Sequence, residues 1–354
     1  MFMANTIEKK LFRDVPLNDH FFDSLKKDYK EFPDWYRSKA AEPAYVQYTD
    51  DKLTGFMYLK IEEGEVADVT PPLVSAKRIK IGTLKVEAHG TRLGERLIKK
   101  AFDHAVVSQA QEIYLTIFPH HKPLIAMLEE FGFREENSIK ETENGKEAVF
   151  VKSLDHSKIT GDIRKDYPLI ETGQSNFYLL AIRPQYHSQL FPDSLLNTES
   201  YDLLSDISHT NSISKNYISA ITDIERLRPK DILVIYRMKD DRGPAEYRSV
   251  ATSICVVEEL RSKKTFKNDN EFLTYAKPYS VFSETELRRW WTRPELFVIK
   301  MLYNAALTKR VIRKTLADDI GLDREAYWGF LPLSREQFLS IVNRGGVDGR
   351  LIIR

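Results

Sequence analysis

The sequence predicts an α/β domain, with a mixed central sheet, splayed strands and flanking helices, followed by an α+β domain built as a small β-barrel. Three observations predict it. A chain of 354 residues is long enough for two domains of ordinary size. Strand and helix patterns alternate through the first half, whereas in the second half strands are interspersed with short helices without βαβ alternation. Between Asp155 and Gln174 the hydrophobic periodicity breaks down, which divides the chain into residues 1–154, a linker at 155–174 and residues 175–354. Tyr167, Leu169 and Ile170 in that linker are suited to burial.

In the first half, Lys10–Val15 reads as a strand, and Phe21–Tyr29 and Pro33–Ala41 as short helices. Ala44–Tyr48 and Leu53–Ile61 form a hairpin around the turn Asp50-Asp51. A loop through Thr70-Pro71-Pro72 leads to a strand beginning near Arg78. In that strand the apolar positions Ile79 and Ile81 resume out of phase at Leu84 and Val86, which predicts a bulge at Gly82-Thr83. An amphipathic helix over Arg92–His104 follows, with Glu95, Arg96, Lys99 and Lys100 on its solvated side. Then come a strand at Glu112–Phe118, a helix at Lys122–Glu130 stopped by Gly132, a turn at Glu143-Asn144-Gly145, and a strand at Glu147–Leu154.

In the second half, Phe177–Ile182 is an apolar strand closed by Arg183-Pro184, and a polar region follows to about Ile224. Ile232–Met238 pairs with Tyr247–Leu260 across a turn-rich Lys239–Pro244 segment. Ser283–Trp291 is a capped helix with Glu286 three residues after its cap. Leu296–Tyr303 is a strand, and Ser334–Asn343 a last helix ended by Gly345-Gly346.

Composition excludes several classes. An apolar fraction of 42% and a charged fraction of 30% belong to a globular chain rather than a disordered one. No apolar run is long enough to span a membrane, and the N-terminus lacks the pattern of a secretory signal. The one cysteine, Cys255, lies among apolar residues and is expected to be a buried thiol. A cytoplasmic location is expected. Lys and Arg number 27 against 23 Asp and Glu in residues 175–354, and 26 against 29 in residues 1–174, too slight a bias to indicate a nucleic-acid partner by itself. There is no Gly-x-x-x-x-Gly-Lys, His-Glu-x-x-His or Gly-x-Ser-x-Gly, and no metal is expected.

The stretch RIKIGTLKVEAHGTRLGERLIKKAFDH, Arg78 to His104, places the N-terminus of a helix at the end of a bulged strand, where unpaired backbone N–H groups receive an anion. With HHKPLIAMLEEFGF, His120 to Phe133, it resembles the GNAT N-acetyltransferases over roughly residues 8–154. The family pattern Gln/Arg-x-x-Gly-x-Gly/Ala falls on His89-Gly90-Thr91-Arg92-Leu93-Gly94. Gly94 matches, while His89 and Arg92 depart from it. In the second motif Glu129, Gly132 and Phe133 match. Lys122 is taken as the replacement for the motif's Asn, and Leu128 for the Tyr that serves as acid to the departing thiolate.

The resemblance implies acetyl-CoA as co-substrate, its diphosphate held by residues 89–94 and Lys122. Leu84 and Val86 would orient the acyl and pantetheine portions. Glu87, the carboxylate nearest the strand end, is the candidate base, ahead of Asp68 and Tyr58. The Phe32–Tyr36 patch lies on helices that in this family usually shape the acceptor pocket, although residues such as Trp35 and Tyr36 are more often core packing than substrate contact.

FYLLAIRPQYHSQLF, the central hairpin, and YSVFSETELRRWW resemble the PUA-like superfamily, nearest its ASCH branch, many of whose relatives bind RNA. The signature Gly-x-Lys-x-x-Glu-x-Arg is missing after the first strand. Candidate nucleic-acid contacts are His209, Asn211 and Lys215, in a polar segment that otherwise caps a helix over Lys215–Ile221, and Lys309, Arg310, Arg313 and Lys314 in an acid-free run. Tyr236 and Tyr303 are candidate stacking faces.

Three functions follow as expectations. One is an N-acetyltransferase whose second domain brings it to an RNA, tRNA or ribonucleoprotein acceptor. Another is an RNA-binding regulator in which the first domain only senses acetyl-CoA. The third is a toxin-like acetyltransferase acting on charged tRNA or a translation factor.

Overall fold

The computed structural model describes residues 7–87, 92–192 and 212–354. The chain divides into two compact units, residues 1–166 and 167–354. Residues 155–166 of the linker thus sort with the first unit and 167–174 with the second. Among the described residues no helix is long and apolar enough to cross a membrane.

The first unit holds β1 (Glu8–Leu11), α1 (Asp23–Asp28), α2 (Phe32–Ser38), β2 (Pro43–Thr49), β3 (Lys52–Val66) and β4 (Leu73–Val86). It continues with α3 (Leu93–Val107), β5 (Glu112–Ile117), α4 (Lys122–Glu130), β6 (Arg134–Thr142) and β7 (Gly145–Ser153). One seven-stranded sheet runs β1-β2-β3-β4-β5-β7-β6, antiparallel except for the β4–β5 pair. Asp50 and Asp51 close the β2–β3 hairpin with φ of 49° and 60°, left-handed values that short Asp side chains tolerate.

The first strand ends earlier than its pattern predicts, because Phe12 turns into a short 3₁₀ helix and becomes the centre of an aromatic core. Phe12 is fully buried and meets Trp35, Tyr36, Phe56 and Tyr58 edge-on at 4.8–5.8 Å. Tyr36 belongs to that core and donates its hydroxyl to the Val15 carbonyl at 2.8 Å. Phe32 and Tyr36 therefore pack, as their types allowed.

The polar side of α3 is a correction. Glu95, Arg96 and Lys99 are buried, not solvated. Arg96 reaches the buried Gln47 on β2 at 2.7 Å, and Lys99 pairs with Asp103 at 2.9 Å. Gly132 ends α4 with φ of 79°, and a Cβ there would stand 2.0 Å from the Lys165 carbonyl oxygen. Only glycine satisfies both the dihedral and the contact.

The second unit holds β8 (Ile170–Glu171), β9 (Phe177–Ile182), α5 (Pro184–Leu190), β10 (Ser214–Ser219), β11 (Ile232–Arg237), α6 (Ala245–Arg248) and β12 (Val250–Ser262). After these come α7 (Asp269–Ala276), α8 (Glu284–Trp291), β13 (Phe297–Ile312), α9 (Arg313–Asp318), β14 (Phe330–Leu333), α10 (Arg335–Arg344) and β15 (Ile352–Ile353). The capping box predicted for Ser283 with Glu286 forms, and the structure adds a second, Ser334 with Gln337. The main sheet runs β10-β13-β12-β11-β9-β14, and β8 pairs with β15, so Tyr167, Leu169 and Ile170 are buried as their types predict.

The expected barrel does not close among the described residues. At the β10 edge the Asn216 N–H donates to the Tyr279 carbonyl at 3.0 Å, and its side-chain amide donates to the Pro278 carbonyl at 2.6 Å. The segment after α7 thus occupies the edge that a closing strand would need. Two further corrections concern this sheet. Ser214–Ser219 is a buried strand paired with β13, not a helix, and β9 pairs with β11 in parallel through a crossover that the lack of βαβ alternation did not suggest.

Candidate functional site

The seam between β4 and β5 sets the geometry. Its register pairs are Arg78 with Glu112, Ile79 with Ile113 and Lys80 with Tyr114, and there the ladder stops. Beyond it β4 continues to Val86, still paired with β3, and β5 to Ile117, still paired with β7, without pairing with each other. On the opposite edge of β4, Thr83 faces Tyr58 and Ile81 faces Leu59, leaving Gly82 as the extra residue of a bulge, as the phase change predicts. A bulge increases local twist and bends its strand, which turns β4 away from β5 where the two should continue together.

The closed end of the seam is pinned by charge. Arg78 is fully buried, with Nε 2.8 Å from Glu112 Oε2 and further donations to the carbonyls of Val74 and Gly64 at 2.6 and 3.2 Å. The opposite end is open. There the β5-facing edge of β4 around Leu84 and Val86 offers backbone groups without a strand partner.

The N-terminus of α3 follows β4 at this open end. Arg92 stands at its N-cap with φ of 58° and ψ of 15°, the left-handed conformation that glycine adopts most easily. That is the position where the family pattern has its central Gly, so a residue with a Cβ here takes a conformation that glycine adopts most readily. Burial lowers the Arg92 pKa from its ordinary value, with Glu95 opposing the shift. Leu93 is buried, and a Cβ on Gly94 would lie 2.7 Å from Met127 Sδ, so Gly94 lets α3 and α4 approach. His89, Gly90 and Thr91 lie outside the described residues.

Glu87 is exposed just past the end of β4. Its N–H donates to the Thr54 carbonyl at 3.0 Å, and its carboxylate pairs with Lys85 Nζ at 2.8 Å. Asp68 pairs instead with Lys140 at 2.9 Å, and the Tyr58 ring belongs to the aromatic core. Lys122 is exposed at the first turn of α4. Counted back from Gly132, the Asn of the second motif falls on His121, one residue before Lys122, which corrects the alignment at that position. Leu128, at the Tyr position, is fully buried.

On the β5 side stands a group of side chains that sequence reasoning missed. Buried Glu147 of β7 accepts from Tyr29 Oη at 2.5 Å and from Thr116 Oγ1 at 2.6 Å. Burial, then the Glu147 hydrogen bond, raises the Tyr29 pKa and keeps it a donor. Next to it, Asp28, His120 and His121 present ligand atoms all within 4.8 Å of one another. Burial, then the neighbouring His120, lowers the His121 pKa, with Asp28 and Glu147 opposing. The legible signal was the His-His pair directly after a strand and before a helix. Asp28, 92 residues earlier, was not legible as its neighbour.

In the second unit, Lys215 is buried on β10, its ammonium over the rings of Phe191 and Tyr303 at 5.9 and 5.6 Å. It is a core cation rather than a surface contact. Tyr303 and Tyr236 are buried too. Lys309 and Lys314 are exposed at the β13–α9 junction, where Lys314 pairs with Asp318. Arg310 donates to the Leu307 carbonyl, and the Arg313 guanidinium lies 4.3 Å from the Trp328 ring centroid. His209 and Asn211 lie outside the described residues.

Among solved structures, a GNAT family acetyltransferase from Elizabethkingia anophelis with acetyl-CoA bound is 13% identical, with a TM-score of 0.31, over 42% of this chain and 97% of its own. Arabidopsis thaliana Naa50 in complex with a bisubstrate analogue is 22% identical, with a TM-score of 0.28, over 42% of this chain and 98% of its own. ASCH from Zymomonas mobilis is 8% identical, with a TM-score of 0.33, over 47% of this chain and 94% of its own. No curated protein matches the chain. Residues 10–133, which supply β4, α3, β5 and α4, match the model of the Acetyltransferase (GNAT) family, and the first unit accordingly carries a GNAT acetyltransferase domain.

Proposed function

We propose that the protein is an acetyl-CoA-dependent N-acetyltransferase acting on an amine at the open end of the β4–β5 seam. The observation that carries the reading is the seam itself: three register pairs, then two strands that diverge beside the N-terminus of a helix. An extended pantetheine arm needs an unpaired strand edge to bond to, and a diphosphate needs unpaired N–H groups at a helix start. Leu84 and Val86 supply the first. For the second we propose residues 89–94, with Lys122 as an added cation.

In this reading the amine nitrogen attacks the thioester carbonyl carbon, the C–N bond forms, and the C–S bond breaks to release the thiolate of CoA. Glu87 takes the proton that the nitrogen sheds, with Lys85 holding its carboxylate at the strand end. Glu87→Gln is expected to lower kcat/KM for acetyl transfer by about 100-fold while leaving acetyl-CoA affinity unchanged. Unaltered turnover would remove Glu87 from the mechanism.

The second unit is proposed to recruit an RNA, tRNA or ribonucleoprotein acceptor through the segment that carries the exposed Lys309 and Lys314 with the half-buried Arg310 and Arg313. Radiolabelled acetyl-CoA incubated with the protein and cell extract, with and without RNase, tests both parts. Label that RNase removes supports an RNA acceptor. Label that survives RNase points to a protein or small amine. Absence of label from every fraction overturns the catalytic reading and favours a non-catalytic acetyl-CoA sensor, which is supported by the buried Leu128 at the position of the family's acid.

A further inference from the structure

We propose that Asp28, His120 and His121 form a binding site for a divalent metal ion of the zinc class, with at least one coordination position left to water. The inference rests on the geometry of these three side chains and stands apart from the acetyl-transfer reading.

Asp28 is the last residue of α1, and His120 and His121 lie between the end of β5 and the start of α4. Neighbours in sequence usually point apart. Here a turn closed by the His121 N–H on the Phe118 carbonyl, at 3.1 Å, brings the two imidazoles to a centroid separation of 4.2 Å. The His120 ring stacks on Phe118 at 5.6 Å and 13°, and Phe118 stacks on Tyr29 at 5.1 Å. The His121 carbonyl accepts from Leu124 and Ile125, both at 3.1 Å, so its backbone is fixed by the first turn of α4. The ligands are held before any ion arrives.

The distances fit a shared ion better than direct contact. His121 Nε2 lies 3.5 Å and His120 Nε2 lies 3.9 Å from Asp28 Oδ2, and neither pair makes a hydrogen bond. A hydrogen bond to a carboxylate would close to about 2.7–2.9 Å. Tetrahedral zinc, with ligand bonds of about 2.0–2.2 Å, sets neighbouring ligand atoms roughly 3.3–3.6 Å apart. Among the described residues the only ion pairs of Asp28 are with these two imidazoles. The other nearby anion, Glu147, has each carboxylate oxygen occupied, by Tyr29 and by Thr116.

Two imidazoles and one carboxylate suit zinc and its first-row neighbours rather than magnesium or calcium, which prefer all-oxygen shells. Side-chain exposures of 62% for His120 and 36% for His121 leave an entry path and room for water. No His-x-x-His or similar spacing announces the site, and Asp28 lies far from the two histidines along the chain, so no metal was legible from residue order alone.

The test uses the full chain without a polyhistidine tag, stripped with chelator and titrated with Co²⁺ at pH 7.5, where ordinary imidazoles are largely neutral. The expected result is saturation at one ion per chain with a visible absorption of low-coordinate Co²⁺, bleached by stoichiometric Zn²⁺. Asp28→Asn, His120→Ala and His121→Ala should each weaken binding by at least about tenfold. His156→Ala, an exposed histidine outside the cluster, should leave it unchanged. Circular dichroism and melting of each variant separate lost ligation from lost folding, and the exposed His120 position keeps the test sound should Asp28 or His121 variants unfold. Absence of the absorption, or a signal that persists in the folded His120→Ala, His121→Ala double variant, overturns the proposal.

Discussion

Arg78 shows how one side chain decides where a sheet stays shut. It is fully buried, and its guanidinium is shared among Glu112 and the carbonyls of Val74 and Gly64. Replacing it with Met would leave the largely buried Glu112 carboxylate to the more distant Lys158, at 3.9 Å, and two carbonyls without their donor. Urea unfolding of Arg78→Met is expected to show a loss of about 3–5 kcal/mol. His187 in the second unit makes a separate point. It is fully buried, with one ring nitrogen 2.8 Å from Thr252 Oγ1, and burial, reinforced by Arg237 and Arg310, pushes its pKa down to about 3. The folded state therefore holds the ring neutral, while the unfolded chain takes up a proton near pH 6.5. Its stabilising effect is present above that value and is lost as pH falls toward 3. Between pH 7 and 5 this residue accounts for about 2 kcal/mol. Denaturant curves at the two pH values should differ by that much more in the wild type than in His187→Gln.

At the scale of elements, Gly82 carries the argument. A Cβ at this position would lie 2.9 Å from Tyr58 Cδ1, so a β-branched residue must displace the ring or flatten the bulge. Gly82→Val is expected to weaken acetyl-CoA binding about tenfold, equivalent to about 1.4 kcal/mol, as measured by calorimetry. An unchanged affinity would show that the bulge does not shape the gap. The bulge was legible because a change of phase in a period-two pattern has few other physical causes. Helix α4 was legible to the residue, since its apolar spacing and terminal glycine agree. The strand β10 was not. Its residues Ser214, Lys215, Asn216 and Ser219 are polar, and only their partners on β13 and the amide bonds of Asn216 make them a buried strand. Burial of the polar side of α3 was hidden for a similar reason, since Gln47, which receives Arg96, lies 49 residues away.

For the whole molecule, the two units hold different shares of the readable signal. The first was legible because strand, helix and loop signals agree along its length and two motifs fall at one end of its sheet. The chemistry on the β5 side of that end was not, because it joins Asp28, Tyr29, Thr116, His120, His121 and Glu147 from distant segments. In the second unit, charge counted along the sequence overstated the free surface charge. Lys314 is neutralised by Asp318, Lys300 pairs with Glu258 at 3.2 Å, and Lys215 is internal. Titration of the protein with a short RNA under increasing salt is therefore expected to show a shallow slope, reflecting few phosphate contacts. A steep slope would mean that cations beyond Lys309 to Lys314 take part.

The three-residue register between β4 and β5 also makes the first unit mechanically a pair of leaves. One leaf carries four strands and the other three. Among the described residues the backbone bonds that join them are confined to that short register with the adjoining Gln111–Lys77 bond and to one bridge, where Thr70 and Ile139 exchange N–H···O bonds at 2.8 and 2.9 Å. Amides flanking the β4–β5 register should exchange with deuterium sooner than those of the β3–β4 ladder, which is far longer. A molecule lying in the cleft would bond to both leaves at once and act as the rungs they lack. Saturating coenzyme should then slow exchange along β4 and β5 together, so that the ligand serves as a structural strut as well as a reactant.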